Sequence, residues 1–133
     1  MAYQLTNDLK TGNDLIDREH KELIDAINAL LDSCGRGQGR NELEKTAKFL
    51  QSYTTKHFSD EEQLQRQGHY PDYPQHKKYH EAFKKTVADI VSRLSANGPT
   101  VALVGEINSA LAGWLINHIK REDKKLAAYL KTL

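Results

Sequence analysis

Hydrophobic residues recur at intervals of three and four along most of the chain, which is the period of one face of an α-helix. These stripes predict four long helices and one short helical segment at about residues 14–34, 41–67, 74–96, 100–120 and 122–131. No stretch alternates apolar and polar residues over the length of a strand. We therefore expect an all-α fold and a single domain over residues 1–133. The helices would form an up-down-up-down antiparallel four-helix bundle, preceded by an N-terminal extended arm over residues 1–12.

Residues that cap or end helices mark several of these boundaries. Asn13 and Asp14 are both good N-cap residues for the first helix. Asn41 starts a second helix in which Glu44 takes the capping-box position. Between these helices, three glycines within residues 35–39 predict a C-cap followed by a turn.

The composition excludes several classes of protein. With 133 residues, of which 38% are hydrophobic, the chain can form one core. The chain has 19 lysines and arginines and 18 aspartates and glutamates, so its charge is nearly balanced. Neither nucleic acid nor an anionic membrane is therefore an expected partner. The single cysteine, Cys34, excludes an internal disulfide and a cysteine-based metal site. Because no leader or membrane span is recognisable, we expect a cytoplasmic protein. We also expect a monomer or a weak oligomer.

Histidines lie on the inward-facing stripes of all four predicted long helices. His76 and His80 are one helical turn apart, and apolar residues continue their face, so both rings point into the core. Buried imidazole nitrogens need partners, and an antiparallel bundle brings the candidate positions to the same end. We therefore expect one shared metal site rather than several separate core histidines. Its candidate ligands are His20, His57, Glu61, His76, His80, His118 and Asp123.

Asp123 can join this set only if the fourth helix is irregular. It follows His118 by five residues, and five steps of a regular α-helix turn about 140° past a full circle. Considered alone, Asp123 is typical of a solvated acid in a charged segment. The sequence therefore predicts that the helix bends, widens or breaks between residues 119 and 123.

The candidate ligands are too numerous for one ordinary zinc site. Five imidazoles and two carboxylates exceed the four ligands of tetrahedral zinc. Two six-coordinate metals offer about twelve positions, and these side chains, with both carboxylates and one oxygen bridging, fill about eleven. One position would remain for a small ligand. An imidazole-rich set favours iron, copper, nickel or zinc over magnesium or calcium.

The chain resembles the bacterial hemerythrins, a family of non-haem di-iron oxygen-binding proteins. The segments that carry this resemblance span nearly the whole chain and comprise residues 13–20, 57–62, 70–83 and 114–123. The resemblance implies two iron ions bridged by an oxo or hydroxo group together with Glu61 and Asp123. One iron would be held by His76, His80 and His118, and the other by His20 and His57.

The same resemblance implies that O₂ binds to the second iron. The pocket around it would be lined by Phe58, Trp114, Leu115 and Ile119, which keep out water and protons. The sixth histidine, His69, matches no ligand position, and we expect it in a solvent-exposed loop.

Three functions are compatible with such a site. The resemblance implies reversible O₂ binding for storage, delivery or scavenging, with NO or small anions such as azide as further ligands. The alternative is a module that senses O₂, NO or redox state and acts on a signalling partner. An enzyme is disfavoured, because ferritin-like di-iron enzymes use four glutamates and two Glu-x-x-His pairs, whereas this set is rich in imidazole. Weak peroxidase or NO chemistry stays open.

Overall fold

The computed structural model describes residues 3–36 and 40–133, with the side chains of residues 40 and 41 left out. Helix α1 spans Asp14–Gly35, α2 spans Arg40–Gln67 and α3 spans Tyr73–Asn97. Helix α4 covers residues 101–130 and packs on both α1 and α3, while α2 packs on α1 and α3. Within the described ranges there is no strand. The predicted all-α four-helix bundle is confirmed.

Helix α4 is one continuous helical run that contains two wider turns. Its five segments are Val101–Glu106, the π-helical Ile107–Gly113, Trp114–His118, the π-helical Ile119–Asp123, and Lys124–Leu130. The second π-helical turn confirms the predicted irregularity between residues 119 and 123, and its form is a widening rather than a bend or a break. The sequence suggested a separate C-terminal segment, but the structure has a single helix here, because a π-helical turn widens a helix without breaking it.

The core is apolar along most of the bundle. Each helix contributes leucines that are no more than 1% exposed, such as Leu30, Leu50, Leu94 and Leu111. A smaller buried cluster comprises Ile16, Tyr70 and Leu126. On α1, His20 lies between Ile16 of the small cluster and Leu23 of the large one, so apolar side chains enclose the candidate site from both directions. No helix among the described residues is long and apolar enough to cross a membrane.

Side-chain caps fix the beginnings of two helices. The Oδ1 atom of Asn13 accepts a hydrogen bond from the backbone N–H of Ile16 at 3.0 Å. Thr100 caps α4 in the same way. Helix α2 begins at Arg40, but the predicted capping box of Asn41 depends on a side chain outside the described residues. Residues 37–39 of the predicted turn also lie outside them.

The segment before α1 lies against the bundle. The backbone N–H of Tyr3 donates to Oδ1 of Asn28, and Nδ2 of Asn28 donates to the Tyr3 carbonyl, both at 2.8 Å. The Tyr3 hydroxyl donates to Oδ1 of Asn108 on α4, also at 2.8 Å. The sequence predicted an arm that is extended throughout, but Asn7–Leu9 forms a 3₁₀ turn. The first two residues lie outside the described part of the chain.

Candidate metal centre

The seven candidate ligands come together in the interior of the bundle, where none is more than 5% exposed. Their ligand atoms form two overlapping groups, and within each group all of these atoms lie within 4.8 Å of one another. The three-histidine group comprises His76, His80 and His118 with Glu61 and Asp123. The two-histidine group comprises His20 and His57 with the same two carboxylates.

Helix geometry positions these side chains. On α2 and α3 the paired candidates are four residues apart and share one face of a regular helix. On α4 the π-helical turn Ile119–Asp123 places Oδ1 of Asp123 3.2 Å from Nε2 of His118. A π-helix has i→i+5 hydrogen bonds, so the fifth residue returns to the starting face.

Glu61 turns one carboxylate oxygen toward each group. Its Oε1 atom lies 2.9 Å from Nε2 of His76 and 3.2 Å from Nε2 of His80. Its Oε2 atom lies 3.4 Å from Nε2 of His57. The carboxylate therefore contacts histidines of both groups with different oxygens.

Asp123 has the same arrangement. Its Oδ1 atom lies 3.1 Å from Nε2 of His76 and 3.2 Å from Nε2 of His118. Its Oδ2 atom lies 2.8 Å from Nε2 of His20. Both carboxylates therefore contact histidines of both groups.

The buried donor atoms are suited to binding metal ions. Several buried donor atoms have no hydrogen-bond partner among the described residues, namely Nε2 of His20, His57 and His80 and both carboxylate oxygens of Glu61 and Asp123. In addition, Nε2 of His76 and Nε2 of His118 face each other at 3.0 Å. Each buried polar atom without a partner costs about 1–3 kcal/mol. Metal ions bound to these nitrogen and oxygen lone pairs would remove that cost, and such donors suit transition metals.

Charge pairing shifts the pKa values of these groups in the metal-free protein. Burial lowers the pKa of His57 and of His76, but the neighbouring carboxylates outweigh it and raise the two values to about 10 and about 9. Burial raises the carboxyl pKa of Glu61 and of Asp123, yet the surrounding histidines hold both below their usual range. Metal ions that bind here must therefore displace protons from histidine.

Two of the histidines have a further carboxylate on the opposite side of the ring. Nδ1 of His57 donates to Oε1 of Glu19, and Nδ1 of His80 donates to Oε2 of Glu62, both at 2.9 Å. Because a carboxylate accepts the Nδ1 proton, the Nε2 lone pair is left free for a metal. Neither glutamate was predicted from the sequence. Each is adjacent in sequence to a candidate ligand, but adjacency does not reveal contact with a histidine on another helix.

Both expected pocket aromatics stack on the three-histidine group, and Phe58 also lies 5.7 Å from His57 of the two-histidine group, measured between ring centroids. Phe58 stacks on His80 with ring centroids 3.8 Å apart and an interplanar angle of 5°. Trp114 stacks on His118 at 4.6 Å and 11°. These rings shield two of the imidazoles from solvent.

The expected pocket aliphatics lie deeper in the core. Leu115 and Ile119 are 1% and 0% exposed. Leu115 also lines a narrow crevice with Ile24 and Ile27 of α1, the helix that carries His20, and the crevice has no room for a water molecule. Leu115 therefore belongs to the part of the core that packs on the helix carrying His20.

Comparison with known proteins settles the family. A family model, the hemerythrin HHE cation binding domain, matches residues 11–130. The chain belongs to the hemerythrin family. The predicted resemblance is confirmed, and the family together with the buried His/Glu/Asp cluster fits a non-haem di-iron O₂-binding protein.

The chain is similar in sequence to two bacterial relatives and in structure to a crystallised hemerythrin. The bacteriohemerythrin of Stenotrophomonas maltophilia is 33% identical over 125 residues, which cover 94% of this chain and 79% of the relative. The bacteriohemerythrin of Pseudomonas aeruginosa is 35% identical over 117 residues, which cover 88% and 74%. A crystal structure of wild-type hemerythrin matches with a TM-score of 0.82 at 27% identity, covering 98% of this chain and 97% of that one.

Proposed function

We propose that this hemerythrin binds O₂ reversibly at a non-haem di-iron centre, for oxygen storage, delivery or scavenging. The observation that carries the proposal is the position of the two shared carboxylates. Glu61 and Asp123 each direct one oxygen into the three-histidine group and the other into the two-histidine group. Residues in these positions would hold a pair of ferrous ions, which would supply the two electrons that O₂ takes up when it binds.

The ligands are assigned by the group to which they belong. In the proposed centre His76, His80 and His118 would hold one iron, and His20 and His57 the other. Glu61 and Asp123 would be shared by both irons, together with an oxo or hydroxo group. The three-histidine group offers five protein donors and the two-histidine group four. Because the second set is smaller, we assign the free position and O₂ binding to the two-histidine side.

The apolar surroundings support reversible binding. Water or protons that reach the site would promote release of reduced oxygen and leave the metal oxidised. Leu115 and Ile119 are buried in the main core, and Ile24 packs one turn from His20 on α1. We propose that these buried side chains keep water away from the O₂ site.

The donor chemistry supports carriage rather than catalysis. Five imidazoles and two carboxylates form the cluster. The ferritin-like di-iron proteins instead use four glutamates and two histidines. A site with this smaller share of anionic ligands stabilises high-valent iron less, so we propose no enzymatic reaction.

An oxygen titration tests the proposal. The iron-loaded protein would be reduced without oxygen, titrated with O₂ while visible absorption is recorded, and then flushed with argon. We expect one O₂ to be taken up per pair of irons and the original spectrum to return on flushing. Irreversible oxidation at the first addition of O₂, with no reversible phase, would overturn the proposal.

A further inference from the structure

A chain of polar contacts connects the protein surface to one candidate ligand. Glu19 of α1 is 3% exposed and lies between two residues of α2. Its Oε1 atom accepts the hydrogen bond from Nδ1 of His57 at 2.9 Å, and its Oε2 atom accepts one from Nζ of Lys56 at 2.8 Å. The side chain of Lys56 is 59% exposed. The charge of a solvent-exposed lysine is thus linked to His57 through one buried carboxylate.

The three-histidine group has only half of this arrangement. Glu62 accepts from Nδ1 of His80 at 2.9 Å, which parallels the contact between Glu19 and His57. Among the described residues, however, the ion pairs of Glu62 within 4.0 Å are with His80 alone. Each group therefore contains one histidine with a carboxylate on its Nδ1 side, but only the carboxylate on the two-histidine side also binds a lysine.

This difference affects how strongly each histidine donates to a metal. A carboxylate that accepts the Nδ1 proton makes the imidazole more basic and strengthens its Nε2 donor. A cation on the other oxygen of that carboxylate withdraws electron density and reduces this effect. His57 should therefore be a weaker donor than His80.

We propose that Glu19 and Lys56 are positioning residues that set the donor strength of His57, with Glu19 strengthening it and Lys56 moderating it. The inference rests on the proposed di-iron site and deepens it, because it makes the two irons unequal in their protein surroundings. Lys56 favours the ferrous state of the iron on the two-histidine side, which is the state to which O₂ release must return it. Glu19 keeps His57 in the tautomer that binds metal.

A purely structural role would predict something different. Lys56 also pairs with Asp60 at 3.0 Å on the next turn of α2. If these contacts only joined α1 to α2, any loss in the network would act through stability and would move both metals alike. The Lys56–Asp60 pair is exposed and contributes little to stability, so its removal in Asp60→Asn separates the loss of an ion pair from an effect at His57.

The test uses the full chain loaded with Co²⁺, in which the Nδ1 protons of bound histidines give separate, strongly shifted NMR signals. The variants are Glu19→Gln, Lys56→Met and Glu62→Gln, with Asp60→Asn as the control that removes a partner of Lys56 other than Glu19. We expect Glu19→Gln to move the His57 signal and leave that of His80 in place. We expect Glu62→Gln to do the reverse.

The direction of the changes in Lys56→Met decides between the two explanations. It should move the His57 signal in the direction opposite to Glu19→Gln and lower the reduction potential of the iron-loaded site, whereas Glu19→Gln should raise that potential. Glu19→Gln should also release the metal of the two-histidine group to a chelator about 10- to 100-fold more readily. Because Lys56 is exposed, Lys56→Met tests the idea even if Glu19→Gln fails to fold.

The outcomes separate this inference from the proposed function. Two metals per wild-type chain, with a His57 signal that none of these variants moves, would overturn the inference alone. Shifts of the same sign in Glu19→Gln and Lys56→Met would also overturn it, since they would indicate a structural clamp. A wild-type chain that binds one metal or none would overturn the proposed function and the inference together.

Discussion

Nε2 of His118 and Oδ1 of Asp123 lie 3.2 Å apart although five residues separate them on one helix. A regular α-helix would place them about 140° apart around its axis. The π-helical turn Ile119–Asp123 removes this mismatch and directs the carboxylate into the cluster. π-Helical turns are frequent at functional sites, and here the turn adds an anionic donor that both histidine groups share.

Replacing that donor should weaken both metals. Asp123→Asn keeps the size of the side chain but replaces one anionic oxygen with an NH₂ group, which cannot bind metal through a lone pair. We expect fewer than two irons per chain after gel filtration with a chelator, measured by elemental analysis. Asp25→Asn, which changes an exposed aspartate on α1, is the matched control and should retain two. Two tightly held irons in Asp123→Asn would contradict the bridging assignment.

Removing a histidine from the smaller group should affect one metal more than the other. His57→Ala leaves the two-histidine group with a single imidazole, so we expect one iron per chain and loss of the reversible absorption change with O₂. His69→Asn is the control, because His69 is exposed and has a φ of 55°, which asparagine tolerates. An unchanged O₂ response in His57→Ala would place the O₂ site elsewhere.

Opening the apolar side of the site should speed oxidation by air. Leu115→Ala removes a side chain that is 1% exposed and that lines the crevice beside Ile24. Water can then enter, so we expect faster loss of the reversible O₂ response, together with a destabilisation of about 2–5 kcal/mol. The rate would be followed by absorption in air, and stability by denaturant unfolding.

A second leucine separates water entry from general destabilisation. Leu103→Ala makes the same truncation in the first turn of α4, at a residue that is 3% exposed. It should lower stability without speeding oxidation. Equal oxidation rates in both variants would show that Leu115 has no special part in excluding water.

The metal-free protein should be most stable at mildly acidic pH. The pKa of Glu19 is lowered from 4.5 to about 2, since hydrogen bonds with His57 and its neighbours outweigh burial, so its stabilising effect is lost as the pH falls from 4.5 toward 2. The pKa values of His57 and His76 are raised from 6.5 to about 10 and about 9, so their effect is lost as the pH rises from 6.5 through that range. The melting temperature of chelator-treated protein, measured by calorimetry, should be highest between pH 4.5 and 6.5. A melting temperature that rises from pH 7 to pH 10 would contradict this.

Much of the site follows from helical spacing alone. His57 and Glu61, like His76 and His80, share a helix face because four residues separate the members of each pair, and that can be read from any sequence. An irregularity before Asp123 was predictable for the same reason, since a carboxylate five residues after a histidine joins it only on an irregular helix, but spacing did not decide among a bend, a wider turn and a break. The roles of these residues as iron ligands remain a prediction.

Other features depend on contacts between distant parts of the chain. Glu19 reaches His57 only because of how α1 is rotated against α2, and hydrophobic periodicity does not determine that rotation to within one side chain. The π-helical turn Ile107–Gly113 was also not predicted. Within it the Nδ2 atom of Asn108 donates to the carbonyl of Val104 at 3.1 Å, and Oδ1 of Asn108 accepts from the hydroxyl of Tyr3 in the arm. The sequence around residue 108 does not reveal that Asn108 contacts a tyrosine more than 100 residues away.

The most direct measurement is anomalous X-ray diffraction at the iron absorption edge from crystals of the iron-loaded chain. We predict two peaks, one in contact with Nε2 of His76, His80 and His118 and the other in contact with Nε2 of His20 and His57. The carboxylates of Glu61 and Asp123 should contact both peaks. A single peak, or a second peak outside these side chains, would contradict the proposed di-iron centre.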